Sequence, residues 1–325
     1  MYRVELFPSG RHFIVEPGQT ILDAALTAGI SVPYQCANGS CGDCRARIVE
    51  GRHTDTGHSD YVYGGDDRLH PMLLMCSSEP ASDLIIEPLL ATGKEDIPHQ
   101  QIPTTVRKTE TPKRDVMVLT LRTPRSNTLR FLAGQQVSLH IPKVGRRTKS
   151  IASCPCNGRD LQFHFRYRPG EAFSQHLFNR LRLNETVEIE GPYGDLVFND
   201  ESERSVILIA WDTGFAVMKS LIEHIISLET EQPVHLYRLL PGNDHAYLSN
   251  QCRAWADALT HFRFDELHTR DATEVLAAIA DQYENLRSHD VYMSIPEPLQ
   301  KEFVARLIDY GALRERIQID KLPRY

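Results

Sequence analysis

The alternation of hydrophobic and polar positions changes character twice along this chain, near residues 104 and 204. Residues 2–8 and 11–16 alternate with period two and predict a pair of strands, turned at Pro8-Ser9-Gly10. Thr20 followed by Ile21-Leu22-Asp23-Ala24-Ala25-Leu26 predicts a short capped helix that ends at Gly29. Residues 84–88 predict the last strand of this first unit, and the segment after it loses its period. From 104 the apolar runs are short and separated by turn residues, at 116–122, 136–141, 161–167 and 186–190. That spacing predicts a small antiparallel barrel. From 204 strands alternate with helices: strand 205–210, helix 214–228, strand 234–239, helix 249–259, strand 262–267, helix 272–286, strand 290–294 and helix 296–310. This alternation predicts a parallel, doubly wound sheet. The expected order is an α+β domain at 1–90, a linker at 91–103, an antiparallel β-barrel at 104–200 and an α/β domain at 201–325.

Length agrees with two or three domains, since 325 residues are too many for one ordinary core. With 41% hydrophobic and 24% charged residues the balance is that of a globular protein. A net charge of −7 with no basic run excludes a nucleic-acid binder, which needs clustered Lys and Arg. No apolar run reaches the length of a membrane span. Met1-Tyr2-Arg3-Val4-Glu5 enters the first strand without a signal-peptide core, so a cytoplasmic location is expected. In that setting seven Cys point to metal or redox chemistry rather than a disulfide framework.

Four of those Cys have a diagnostic spacing. Cys36, Cys41 and Cys44 form C-x4-C-x2-C, and Cys76 follows after 31 intervening residues. This is the plant-type [2Fe-2S] pattern. Two irons need four thiolates, and one tight loop supplies three of them. Gly39 and Gly42 let the loop turn its amides toward the cluster sulfurs. A four-Cys zinc site would instead show two paired knuckles, and Cys76 has no close partner in sequence.

The segment Pro33-Tyr34-Gln35-Cys36-Ala37-Asn38-Gly39-Ser40-Cys41-Gly42-Asp43-Cys44 resembles the cluster loop of ferredoxin domains fused to flavin reductases. Leu74-Met75-Cys76-Ser77 and Asp83-Leu84-Ile85-Ile86-Glu87 resemble the end of such a domain. Essentially the whole chain is similar to the reductases of bacterial methane, phenol and toluene monooxygenases and to CDP-6-deoxy-glucoseen reductase. The resemblance implies a β-grasp ferredoxin domain, a barrel that binds FAD and an α/β domain that binds NAD(P)H. It also implies hydride transfer to flavin, single electrons to the cluster, and a protein acceptor such as an oxygenase component. For the family's Arg-x-Tyr-Ser the chain has Arg147-Thr148-Lys149-Ser150. Arg147 suits the FAD diphosphate, Ser150 the flavin ring, and Lys149 replaces an aromatic that would pack on the flavin. Gly170, Phe173 and Ser174, in Arg168-Pro169-Gly170-Glu171-Ala172-Phe173-Ser174, resemble the second phosphate loop. Gly191-Pro192-Tyr193-Gly194-Asp195 resembles the turn that ends the family's barrel.

The nicotinamide motifs depart from the family. Trp211-Asp212-Thr213-Gly214 stands where Gly-Gly-Thr-Gly is expected, and only Thr213 and Gly214 fit a phosphate turn. Tyr237-Arg238-Leu239 replaces Tyr-Trp-Gly, and Ser294-Ile295-Pro296-Glu297-Pro298-Leu299 replaces Cys-Gly-Pro-Pro-Pro-Met. Trp211 adds bulk and Asp212 adds a like charge beside a dianion. Neither NADH nor NADPH is therefore expected to reduce this chain efficiently. Two readings stand. One is a flavin/[2Fe-2S] reductase; the other is a non-enzymatic [2Fe-2S] relay whose reductase module is a scaffold or docking surface, or takes electrons from a protein donor. No catalytic residue is assigned. Cys154 and Cys156 read as packing thiols, and His53, His58 and His70 as surface residues. The acidic and aromatic stretch 55–67 reads as a solvated loop.

Overall fold

The computed structural model describes all residues except 9, 29, 31, 35, 58, 64–67, 89–96, 98, 125–127, 156–158, 229, 241–245, 270 and 321–325. The expectations placed on Gly29, His58, Cys156 and most of the linker fall outside the described residues. The chain forms two compact units, Met1–Asp96 with Pro124–Thr128, and Ile97–Thr123 with Leu129–Tyr325.

The first unit contains β1 (Tyr2–Leu6), β2 (Arg11–Val15), α1 (Ile21–Thr27), β3 (Arg45–Glu50), β4 (His53–Asp55), β5 (Met72–Leu74), β6 (Ser78–Pro80) and β7 (Leu84–Pro88). The predicted hairpin pairs Tyr2 with Val15 and Leu6 with Arg11. Its alternation buries Val4, Leu6, Phe13 and Val15. β7 then joins β1 in parallel, which gives a mixed sheet of order β2-β1-β7-β3-β5. Thr20 caps α1 by accepting a hydrogen bond from the Asp23 amide at 3.1 Å. Ile21, Leu22, Ala24 and Ala25 of that helix pack into the core of the sheet.

The second unit starts as six antiparallel strands: β8 (Gln100–Lys113), β9 (Val116–Arg122), β10 (Gln136–Ile141), β11 (Gly145–Ser150), β12 (Asp160–Arg166) and β13 (Thr186–Tyr193), with α2 (Ala172–Asn179) between the last two. Their order is β11-β10-β13-β8-β9-β12. Just past β11, the Ala152 amide donates to the Gln162 carbonyl at 2.8 Å, so the sheet curls back on itself as a barrel. β8 begins at Gln100, inside the stretch read as linker. Its inward positions are Ile102, Thr104 and Val106. Thr104 hid the alternation, because its hydroxyl is satisfied inside the barrel by the Val187 carbonyl at 2.6 Å.

The α/β part runs β14 (Ser205–Trp211), α3 (Phe215–Ser227), β15 (Val234–Leu239), α4 (Ser249–Ala258), β16 (Phe262–Leu267), α5 (Ala272–Ala280), β17 (His289–Ser294), α6 (Glu297–Asp309) and β18 (Ile317–Ile319). The sheet is parallel, of order β16-β15-β14-β17-β18, with one hydrophobic core on each face. α5 stops at Ala280 rather than 286. The chain turns there, which sends Leu286 into the core and brings the Tyr283 hydroxyl to 2.8 Å from His235 Nδ1. β18 was not anticipated; at three residues it is too short to show a period. The sheet order reverses at β14, so the carboxyl ends of β14 and β17 frame the usual ligand crevice of such folds.

Candidate functional site

In the first unit the cysteine loop is shaped around its sulfurs. Ala37, Gly39 and Gly42 have φ of 54°, 79° and 78°, which turn the loop so that amides point inward. The amides of Asn38 and Cys41 reach Cys36 Sγ at 3.5 and 3.4 Å, and that of Asp43 reaches Cys41 Sγ at 3.4 Å. Cys44 and Cys76 are buried with their sulfurs 3.2 Å apart, close enough to share one iron. Burial raises the Cys36 thiol, but the hydrogen bonds from Asn38, Ser40 and Cys41 outweigh it and bring it down to about 6. Cys44 lowers Cys76 to about 7 against the effect of burial. Cys36 is therefore near the thiolate form that iron requires, whereas burial pushes Cys41 up to about 11 and the hydrogen bond to Cys76 raises Cys44. The thiols form two pairs, and among the described residues no three His, Cys, Asp or Glu side chains are placed to hold one metal ion. The donor set and its inward amides fit a two-iron cluster.

Part of the 55–67 stretch is not the solvated loop expected. Tyr61 lies flat on Gly42, where an added Cβ would sit 2.2 Å from the ring. Its hydroxyl accepts from Arg45 Nη1 at 2.9 Å, and its amide donates to the Gly39 carbonyl at 3.1 Å. Tyr63 meets it edge to face at 5.3 Å. Packing on a glycine is a contact that hydropathy does not report.

In the second unit β11 carries Arg147, Lys149 and Ser150 along one strand. Arg147 is paired with Glu171, the residue that begins α2. Lys149 Nζ lies 5.1 Å from the centre of the Phe165 ring. Desolvation first, then the charges of Arg168 and Arg147, lower its amine to about 8. Gly170 has φ of 81° and open space around it. Phe173 is not available to a cofactor: it packs in the barrel core, 6.2 Å from Phe165. Ser174 is buried as well, and its hydroxyl accepts from the Arg168 amide at 2.8 Å, which fixes the loop. Cys154 is disulfide-bonded rather than a packing thiol.

Ser150 leads to a residue that sequence reasoning missed. Asp320 follows β18 and is 1% exposed. It accepts from Ser150 Oγ at 2.9 Å, from Ser294 Oγ at 2.9 Å and from Gln136 Nε2. Desolvation pushes its carboxyl up, opposed by these three donors and by Lys149. Gly214 abuts Ser294, since an added Cβ would lie 2.6 Å from the Ser294 carbonyl oxygen. Thr213 is buried beside it. Ser150 of the barrel and Ser294 of the crevice thus meet on one carboxylate. No local sequence signal marks an Asp after so short a strand.

The charged side chains near the crevice are partnered within the chain. Asp212, at φ of 47°, turns its carboxylate into a two-pronged ion pair with Arg166 of β12. Arg166 also binds Asp115. The like-charge repulsion expected of Asp212 is therefore largely cancelled, and what remains is occupancy. Arg238 is 1% exposed and stacks 3.9 Å from the Phe215 ring centre. Its Nη1 donates to the Tyr247 carbonyl at 2.7 Å, and its Nη2 has no hydrogen-bond partner.

Residues 4–81 match the 2Fe-2S iron-sulfur cluster binding domain family, and residues 103–198 match the oxidoreductase FAD-binding domain family. Sequence similarity extends to CDP-6-deoxy-L-threo-D-glycero-4-hexulose-3-dehydrase reductase of Yersinia pseudotuberculosis, 32% identical over 253 residues, which are 78% of this chain and 75% of the relative. Terephthalate 1,2-dioxygenase reductase component 1 of Comamonas sp is 27% identical over 98% of this chain and 96% of its own. Among solved structures, an Amycolatopsis cytochrome P450 reductase superposes with a TM-score of 0.62 at 24% identity, covering 99% of this chain and 98% of that one. The ferredoxin reductase of a carbazole 1,9a-dioxygenase gives 0.58 at 21% identity over 98% and 97%. These two show a shared fold. Identity of 32% sustained over 78% of the chain goes further. Together with a cysteine loop of plant-type [2Fe-2S] spacing and a flavin-type barrel, it makes this chain a member of the electron-transfer reductases that join a [2Fe-2S] ferredoxin domain to a flavin-binding, ferredoxin-reductase-type module.

Proposed function

We propose that this chain is the reductase-type component of an oxygenase-like system, working in the cytoplasm. It passes electrons from flavin through the cluster of Cys36, Cys41, Cys44 and Cys76 to a protein acceptor. Its electrons come from a protein donor more readily than from NADH or NADPH. Bound FAD would take up two electrons and release them one at a time, and a [2Fe-2S] centre carries one. Arg147 and the start of α2 would hold the diphosphate. Lys149 would place an amine with a lowered proton affinity beside the ring. Ser150 would orient the ring edge, and Asp320 would fix that hydroxyl by accepting its hydrogen bond.

The observation that carries the nicotinamide part is the Arg166–Asp212 pair. It occupies the start of α3, where a dinucleotide phosphate would otherwise take the helix N-terminus. Asp212 is 15% exposed and Arg166 34%, so part of the pair is screened by water. Opening it costs about 1–3 kcal/mol, the range of charge-assisted hydrogen bonds. The ordinary reductase reading is supported by the Thr213-Gly214 turn at the head of α3 and by the likeness to reductase components.

Stopped-flow reduction separates the two. Wild type mixed with NADH or NADPH is expected to reduce slowly, and a Trp211→Gly/Asp212→Gly double variant faster. Rapid reduction of wild type by either nucleotide would restore the ordinary reductase.

A further inference from the structure

The first turn of α2 is built to receive an anion. Its leading N–H groups lack helical partners and carry partial positive charge. Two guanidiniums converge there, Arg147 from β11 and Arg168 from the preceding loop. The chain already supplies the anion. Glu171 stands at the helix N-cap, yet its side chain makes no cap hydrogen bond. Its Oε1 is paired with Arg147 Nη2 instead, and its Oε2 lies 4.0 Å from Arg168 Nε. The carboxylate is the most shielded of the three side chains, at 20% exposed against 39% and 36%. Beside it, Gly170 has no heavy atom within 4 Å of where a Cβ would stand. The pair therefore borders open space into which a larger ligand could enter.

We infer that Glu171 is a resident stand-in for the flavin diphosphate, a carboxylate that must swing away before FAD can reach Arg147. The inference rests on the placement of FAD at β11 and α2 proposed above. Carboxylate and phosphate both present anionic oxygens to a guanidinium, so one excludes the other from Arg147. A diphosphate carries more charge, but it must break the pair and then lie beside the displaced carboxylate. Glu171 thus weakens ligands that carry a phosphate and is indifferent to those that do not. The effect on flavin is selective: the dinucleotide is held less tightly than two arginines would allow, and the bare isoalloxazine is unaffected.

The test uses the full chain, titrated with FAD and with riboflavin and read by flavin fluorescence. Glu171→Gln keeps the shape and removes the charge. FAD should bind roughly fivefold tighter, the size of one half-exposed ion pair, with riboflavin unchanged. Glu171→Asp, which withdraws the charge by one methylene, should gain less and serves if the Gln variant does not fold. Glu185→Gln, on the His176 pair at the other end of α2, should alter neither ligand. Binding of FAD by the variant alone would support the inference and move the wild type to the relay reading. An unchanged or weaker FAD affinity, beside tight wild-type binding, overturns the inference and leaves the flavin assignment standing. A gain shared by riboflavin overturns it as general loosening. No FAD binding by any of the proteins overturns both.

Discussion

His164 belongs to the barrel but is closed over by the α/β part, and burial keeps it neutral. Its Nδ1 is 2.8 Å from the Tyr247 hydroxyl, and its Nε2 has no hydrogen-bond partner. Desolvation first, then the charges of Lys219, Arg238 and Lys149, lower its proton affinity well below the usual value. The unfolded chain takes up a proton on this ring near pH 6.5, and the folded chain does not. Stability of the second unit must therefore fall as pH drops below about 6.5, by up to about 1.4 kcal/mol per pH unit from this residue. Urea unfolding at pH 5, 6 and 7 checks it. His164→Phe should flatten the slope between pH 7 and 5, and an identical slope in the variant would sink the assignment. Arg238 is the other residue whose state the sequence did not reveal. Read as a lost motif, it is instead a filler that stacks on Phe215 inside the crevice.

The cysteine loop, from Cys36 to Cys44, depends on a neighbour outside it. Tyr61 covers Gly42, and the Arg45 guanidinium ties the ring down. Tyr61→Ala should leave the four ligands in place and let solvent reach the loop. The expected result is cluster loss several-fold faster under air, followed by visible absorbance, with iron content at first unchanged. Cys76→Ser removes a ligand and should lower the iron and sulfide content from the outset. Equal cluster lifetimes in wild type and Tyr61→Ala would show that the ring shields nothing. β11 is the counterpart in the second unit. Its polar run Arg146-Arg147-Thr148-Lys149 gave no strand signal, because the first strand of the sheet order is only partly buried and needs few apolar residues. Arg147 and Ser150, the residues proposed for flavin, were legible as a motif, but the element carrying them was not.

The two compact units have separate hydrophobic cores, one in residues 4–86 and three in residues 102–317. Within the second unit the barrel and the α/β part are tied by polar contacts. Ser220 Oγ donates to the Ser153 carbonyl at 2.8 Å, Lys219 Nζ to that of Ala152 at 3.2 Å, and Asp320 joins Ser150 to Ser294. Calorimetry should therefore resolve two transitions rather than three. Removing iron with a chelator should lower only the one belonging to the ferredoxin unit, because metal binding there is linked to its folding. Arg166→Gln should lower only the other, by about 1–3 kcal/mol, since it frees Asp212 and Asp115. A third transition, or a shift of both by the chelator, would contradict this division.

The cysteine spacing proposed to hold the cluster and the three kinds of architecture were written in the sequence because each is a local signal. A ligand spacing within one loop, a period of two and a β/α alternation need no knowledge of distant residues. The state of the nucleotide sites was decided only by tertiary structure. Asp320 meets Gln136 and Ser150 across 184 and 170 residues. Arg166 reaches Asp212 across 46 residues. Glu171 reaches Arg147 from a separate element. In each case the charge or hydroxyl was visible, and the partner that satisfies it was not. A lone Asp in a phosphate turn reads as repulsion, and the same Asp clamped by a barrel arginine is a paired charge. Electrostatic energy depends on separation in space, and that separation is set by packing.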